Sequence, residues 1–317
     1  MANAGAAPSI FADRRALIAF ATLCCFLWGS AVPAVKAGYG LIGILPADTP
    51  SLLLFAGLRF SLAGLMLLAY GLIRGRPILL APRRFGEVAL LGLGQTTLQY
   101  ICYYVGLAHT TAVKTSILSA SLVFFSVLLA HFIYANDKLT PRKMLGCFIG
   151  FAGVVAVNMA GGVFDFHFSL LGEGLLLAST FAGSLAAIYG RRLSQDMDAA
   201  VMTGWQLLLG GLVLTAMGWI GGGHFASFGI GAGLLVVYLT GVSAVAFGLW
   251  SLLLKHNPVG SVAIFNFEIP IFGAVLAALV LGESVLEWKN LVALVLVSIG
   301  IWLVTTVARP VSVPPTQ

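Results

Sequence analysis

The chain has 317 residues, 60% of them hydrophobic and only 9% charged, with a net charge of +6. A soluble domain carries about 25% charged residues, so this composition excludes one and defines an integral membrane protein. The basic excess sits in short loops on one side, which removes nucleic acid from the partners and leaves the lipid bilayer.

Residues 1–15 form a polar tail ahead of an apolar run too long for a signal-peptide core, so the first span is expected to be retained. About 20 apolar residues cross a hydrocarbon core. Runs of that kind predict ten transmembrane helices at 16–37, 51–73, 87–107, 112–134, 142–160, 169–190, 199–220, 228–251, 259–281 and 289–307. His256-Asn257-Pro258 marks the turn between the eighth and ninth. Residues 308–317 are Pro-rich and read as a disordered tail. Cys24, Cys25, Cys102 and Cys147 all lie in apolar runs, with neither metal spacing nor a disulfide framework.

Loop charges orient the ten spans. With the N-terminus in the cytoplasm, thirteen basic residues, from Arg14 to Arg309, fall on the cytoplasmic side. Only Lys36 and Lys289 fall opposite, while Arg59 and Lys114 lie inside spans. This positive-inside bias places both termini in the cytoplasm. A missed or invented span would have blurred it.

The chain also repeats. Asp137, Lys143 and Gly153 around the fourth-to-fifth junction are matched by Glu283, Lys289 and Gly300 around the ninth-to-tenth, with one residue inserted. Gly29-Ser30 matches Gly183-Ser184, and Arg59 with Gly64 matches Gln206 with Gly211. Each copy holds five spans, one at 16–160 and one at 161–307. An odd number forces the copies into opposite orientations, an inverted-topology repeat. Many secondary transporters are built so, with sites near the midplane at the repeat interface.

The residues that carry the repeat also resemble a known family. LWGSAVPAVK (Leu27 to Lys36), LRFSLAGLMLL (Leu58 to Leu68), the fourth-to-fifth junction and the P-x(12)-E run from Pro270 to Glu283 stand in order at the right spans. Together they resemble the drug/metabolite transporter superfamily, in the form with two EamA domains, over roughly residues 17–308. The first repeat departs from the family pattern at Phe124, where members often carry Pro, and at Asp137, where Glu is usual. The resemblance implies a ten-helix carrier working by alternating access in the plasma (inner) membrane, with no cofactor. Many members export amino acids or related compounds. Others carry sugar phosphates, nucleotide-sugars or amines, and a channel is a remoter alternative.

The candidate site starts at Glu268, a lone acid near the middle of the ninth span and so expected at mid-membrane. A charge there costs about 2.5–3.5 kcal/mol even on lenient insertion scales and needs a partner, a proton or a wet cavity. It reads either as a site for a proton or a substrate cation, or as a structural acid paired with Arg59, Lys114 or a helix end. Phe265 and Phe272 are spaced to share its face and desolvate it, which suits a proton carrier, while Asn266 falls roughly 200° away. Pro270, and Pro33 in the first span, are the residues expected to break helices.

Gln95, Gln99 and Tyr103 recur at i, i+4 and i+8 in the third span, a stripe that must turn inward, either to a cavity or to a neighbouring helix. Lys114, at the outer end of the fourth span, either snorkels or meets a substrate carboxylate, and Ser119 loosely shares its face. Trp28, ahead of Ser30 at mid-span, must find a partner for its indole N–H, as cavity lining or as packing. Arg59 is read as structural, bonded to carbonyls or to Glu268. Asp137 and Glu283 are read as structural or gating acids that cap the helix following each.

No HExxH, GxSxG or Walker loop occurs in the chain, so it is not expected to be an enzyme.

Overall fold

The computed structural model describes residues 10–45, 48–110, 115, 118–158, 168–281 and 288–306. Every regular element among them is helical. In chain order these are α1 (Arg14–Ile42), α2 (Thr49–Ile73), α3 (Pro82–Gly92), α4 (Gln99–Ala108), α5 (Ser121–Ile133) and α6 (Pro141–Asn158), followed by α7 (Leu175–Asp196), α8 (Ala199–Ile220) and α9 (Ile230–His256). The last are α10 (Val259–Ala263), α11 (Glu268–Leu281) and α12 (Trp288–Thr305). A π-helical turn at Leu93–Leu98 joins α3 to α4, a second at Leu170–Gly174 leads into α7, and a 3-10 turn at Ile264–Phe267 joins α10 to α11.

Local chemistry sets several of the ends. Asp13 accepts bonds from the N–H groups of Arg15 and Ala16 at 2.9 and 3.1 Å, starting α1 two residues ahead of the apolar run. At its far end Gly43, at φ 72°, adopts the left-handed conformation that closes a helix without a Cβ clash. Asp48 and Asp198 cap α2 and α8 in the same way. α1 therefore runs to 29 residues, and its polar caps explain why it exceeds the predicted 16–37.

The two prolines behave differently. α1 passes through Pro33 unbroken, against expectation. Membrane helices tolerate this where neighbours pack closely, and a Cβ on Gly29, the residue whose carbonyl Pro33 leaves free, would stand only 2.6 Å from Phe272 Cβ. At Pro270 the disturbance falls on the preceding turn. Pro270 cannot donate to the carbonyl of Asn266, and residues 264–267 tighten into a 3-10 turn that ends where Glu268 begins.

Packing joins the two halves of the chain through small residues. α2 crosses α8 so closely that a Cβ on Gly64 would stand 2.4 Å from the backbone N of Leu208, and one on Gly211 2.5 Å from that of Ser61. α6 meets α12 through Gly146, Gly150, Gly153 and Gly300. α1 packs on α9 and α11, while α7 packs on α4 and α5. Small residues let backbones approach where lipid offers no hydrophobic drive for association. Outside, Leu65, Leu128, Phe148, Leu212, Val295 and Trp302 are exposed. In water such a surface would aggregate; in a bilayer it is matched to its solvent.

Candidate functional site

α1 organises the site. Thr22, Cys25 and Gly29, spaced three and four residues apart, face α10–α11, whereas Cys24 and Trp28 face α9. On the first face, Thr22 Oγ1 donates to Glu268 Oε1 at 3.3 Å, and Cys25 Sγ donates to the Phe265 carbonyl at 3.2 Å. Glu268 Oε2 is buried and has no hydrogen-bond partner among the described residues.

On the second face, the Trp28 ring meets Trp250 and Phe247 edge-on, with centroids 5.0 and 5.4 Å apart. Phe247 meets Phe60 at 6.0 Å, and Phe60 meets Tyr100 at 4.6 Å. Aromatic contacts thus run from α1 through α9 and α2 to α4. Trp28 Nε1 is buried beside them without a partner among the described residues. At 1.5 Å per residue Trp28 lies about 21 Å from either end of α1, and Thr22 about 12 Å from its start, so Glu268 sits well to one side of the helix midpoint.

Arg59 occupies the α2 end of the chain of rings. It lies about 15 Å along α2 from Thr49 and is only 7% exposed. Its guanidinium rests 4.4 Å from the centroid of the Phe60 ring, which meets Tyr100, while Tyr39 meets Phe55 about one turn earlier on α2. Among the described residues it makes neither an ion pair nor a hydrogen bond, and its Nε is fully buried. The structural role expected for it, on carbonyls or on Glu268, is therefore absent among these residues. A cation over a ring recovers about 0.5–2 kcal/mol. Removing a guanidinium from water costs several kcal/mol. The ring alone does not offset that cost, and among the described residues the charge has no counter-ion.

The other expected residues divide. Ser30 donates to the Leu27 carbonyl at 2.7 Å and lies 2.7 Å from the Tyr238 hydroxyl, linking α1 to α9. Gln99 packs its amide against Gly183, where a Cβ would stand 2.8 Å from Cδ, and its own carbonyl accepts from Ser179. Tyr103 is half-buried between Tyr100 and Tyr104. Gln95 is half-buried within the π turn, whose i→i+5 bonding interrupts the regular stripe predicted for 95, 99 and 103. Ser119 is half-buried just ahead of α5. Asn266 Nδ2 donates to the Ala263 carbonyl at 2.9 Å, within its own turn, and Phe265 is wholly buried in packing. Lys114 and Glu283 lie outside the described residues.

Asp137 does something other than cap the helix that follows it. Its Oδ1 accepts from Lys143 Nζ at 2.6 Å, and its Oδ2 accepts from the N–H of Gly260 at 2.9 Å, so it caps α10 instead. Thr140 Oγ1 takes the capping role for α6, accepting from the Lys143 N–H at 3.3 Å. Sequence reasoning also passed over Glu173, a buried acid that accepts from Thr110 Oγ1 at 2.7 Å and from the Ser169 N–H at 2.8 Å. An acid four residues into an apolar run was the available signal. Thr22, Tyr39 and Tyr100 carried no such signal, because only long-range packing brings them to the site.

A bundle of long apolar helices with an apolar outer surface defines a multi-pass membrane protein. The comparisons make the class specific: the EamA-like transporter family model matches residues 15–159 and again 170–306, and the chain belongs to that family, within the drug/metabolite transporter superfamily. The chain is 27% identical to the uncharacterized transporter YvbV of Bacillus subtilis over 297 residues, 92% of each chain. It is 26% identical to an uncharacterized transporter of Archaeoglobus fulgidus, over 83% of this chain and 88% of the relative. To the uncharacterized inner membrane transporter YedA of Escherichia coli it is 24% identical over 92% of each. A solved crystal structure superposes with a TM-score of 0.79, covering 94% of this chain and 99% of its own at 22% identity, which shows the same fold.

Proposed function

We propose that the protein is a secondary transporter that moves small polar metabolites by alternating access, exporting amino acids or related compounds. It is a multi-pass protein of the inner membrane. In this reading ten spans cross the bilayer with both termini in the cytoplasm, as two inverted five-span copies at 16–160 and 161–307. The exchange of partners between the halves supports the copies: α1 lies on α9 and α11, and its counterpart α7 lies on α4 and α5. Export as the direction follows the superfamily resemblance.

The observation that carries the reading is that three of the seven buried polar side-chain atoms without partners among the described residues, Trp28 Nε1, Arg59 Nε and Glu268 Oε2, are reached from α1 directly or through its aromatic contacts. Buried polar groups are almost always bonded, so these orphans are suited to a visiting solute. Glu268 takes a proton or a substrate cation. Trp28, Ser30, Gln95, Gln99 and Tyr103 line the path, with Ser119 and Lys114 at its outer side. Phe265, Asn266 and Pro270 shape the turn that presents Glu268, and Asp137 and Glu283 act at the gates.

The test is counterflow of labelled amino acids in proteoliposomes holding the full chain. Flux that saturates supports a carrier; flux that rises without limit contradicts one. Glu268→Gln is expected to retain counterflow and to lose all dependence of net uptake on an imposed pH gradient. Full gradient dependence in that variant would sink the role given to Glu268.

A further inference from the structure

We propose that Arg59 is the anion-binding residue of the transport path, and that the cargo therefore carries a carboxylate or a comparable small anionic group. The inference rests on the carrier reading above and adds the sign of charge that the path must recognise.

Two observations and one point of chemistry carry it. Arg59 is only 7% exposed, yet among the described residues no carboxylate, carbonyl or hydroxyl bonds its guanidinium. A guanidinium stays protonated at any working pH, so the charge cannot be relieved by losing a proton, as a lysine's can. The surroundings, furthermore, are a packed cluster rich in aromatic rings. Phe60 lies under the guanidinium, its ring meets those of Tyr100 and Phe247, and Phe247 links this group to Trp28. The planar guanidinium fork suits an anion with two oxygens.

Glu268 does not serve as the missing counter-ion. It bonds Thr22 on the α11-facing side of α1, and no ion pair joins it to Arg59. An acid on one side of Trp28 and an unpaired cation on the other give the path two ends of opposite sign. A zwitterion with its carboxylate at Arg59 and its ammonium toward Glu268 would satisfy both.

Thermal unfolding of the purified full chain tests this. The probes are the standard amino acids, simple monocarboxylates such as 4-methylpentanoate and lactate, the amides of the same compounds, and the corresponding amines, with sodium chloride at matched ionic strength as the control. At least one carboxylate is expected to raise the unfolding temperature where its amide does not. Arg59→Gln should weaken that carboxylate's apparent affinity by roughly 30-fold or more, the lower end of what removing one partner of a buried charge pair costs. Arg59→Lys should recover part of the loss. If Arg59→Gln does not fold, the acid-against-amide contrast in the wild type and the Arg59→Lys response decide.

Stabilisation by amides or amines as strong as by acids, equal carboxylate binding in wild type and Arg59 variants, chloride acting as well as carboxylates, or no response to any carboxylate would each overturn the proposal. Counterflow distinguishes this failure from failure of the carrier reading. Saturable flux of an amine with no carboxylate response leaves the carrier standing and removes the anion site.

Discussion

Trp28 holds an indole N–H at the midpoint of α1 with edge-on rings on either side and no acceptor among the described residues. The rings contribute packing, and the N–H contributes nothing until an acceptor arrives. Trp28→Phe separates the two, because it keeps an aromatic ring against Phe247 and Trp250 and deletes only the donor. If the donor meets cargo, KM for counterflow should rise about 3–10-fold, the equivalent of one neutral hydrogen bond, with the maximal rate unchanged. A change confined to the unfolding temperature would reduce Trp28 to packing. The sequence already marked Trp28 as needing a partner. It could not show that the partner is missing, since that depends on how α9 and α2 approach. Arg59 is the sharper instance. As letters in a common motif it read as structural, and only the absence of any counter-ion among the described residues turns it toward cargo.

At the scale of an element, close crossings and broken turns carry the argument. A Cβ on Gly64 would meet Leu208 N at 2.4 Å and Gly204 O at 2.6 Å, and both are backbone atoms that no rotamer change can move. Gly64→Ala must push α2 off α8, so its cost should exceed the about 1–3 kcal/mol of ordinary overpacking. Gly86→Ala is the matched control in exposed α3, where an added Cβ meets nothing within 4 Å. That change should be neutral or stabilising by about 0.5–1 kcal/mol. Detergent unfolding curves of the two variants measure the difference, and equal midpoints would contradict the crossing.

Helix positions and the turn before Pro258 were legible because apolar runs and turn residues are local signals. The π turn around Gln95 was not. Its cause is the fit of Thr96 and Thr97 against α8, where Thr97 Oγ1 donates to the Gly210 carbonyl at 3.0 Å, and no period of one segment encodes that fit. Pro270 was legible as a disturbance, while its placement one turn earlier follows from which carbonyl it leaves free.

Across the whole molecule, Asp137 ties the two halves of the chain together on the side proposed to face the cytoplasm. It belongs to the α5–α6 junction, yet its second oxygen holds the first turn of α10, the short helix leading to Glu268. The pair with Lys143 is nearly inaccessible, at 1% and 5% exposure. A buried pair of this kind adds little net stability when intact, but losing one partner strands the other charge at about 3–5 kcal/mol. Asp137→Asn should therefore lower the unfolding temperature by several degrees. It should also speed amide hydrogen exchange across residues 260–267, where the cap is lost. Asp137→Asn combined with Lys143→Met leaves no stranded charge and should cost less than Asp137→Asn alone. Stability alone does not make Asp137 a gate, because a purely structural latch would give the same unfolding data. Under alternating access the contact must open whenever the path faces the cytoplasm, so weakening it favours that state. In proteoliposomes a membrane-impermeant thiol reagent applied from the cytoplasmic face should then label Cys25, buried beside Phe265, faster in the double variant than in the wild type. Unchanged labelling alongside faster exchange at 260–267 would assign Asp137 to the cap and remove it from the gate.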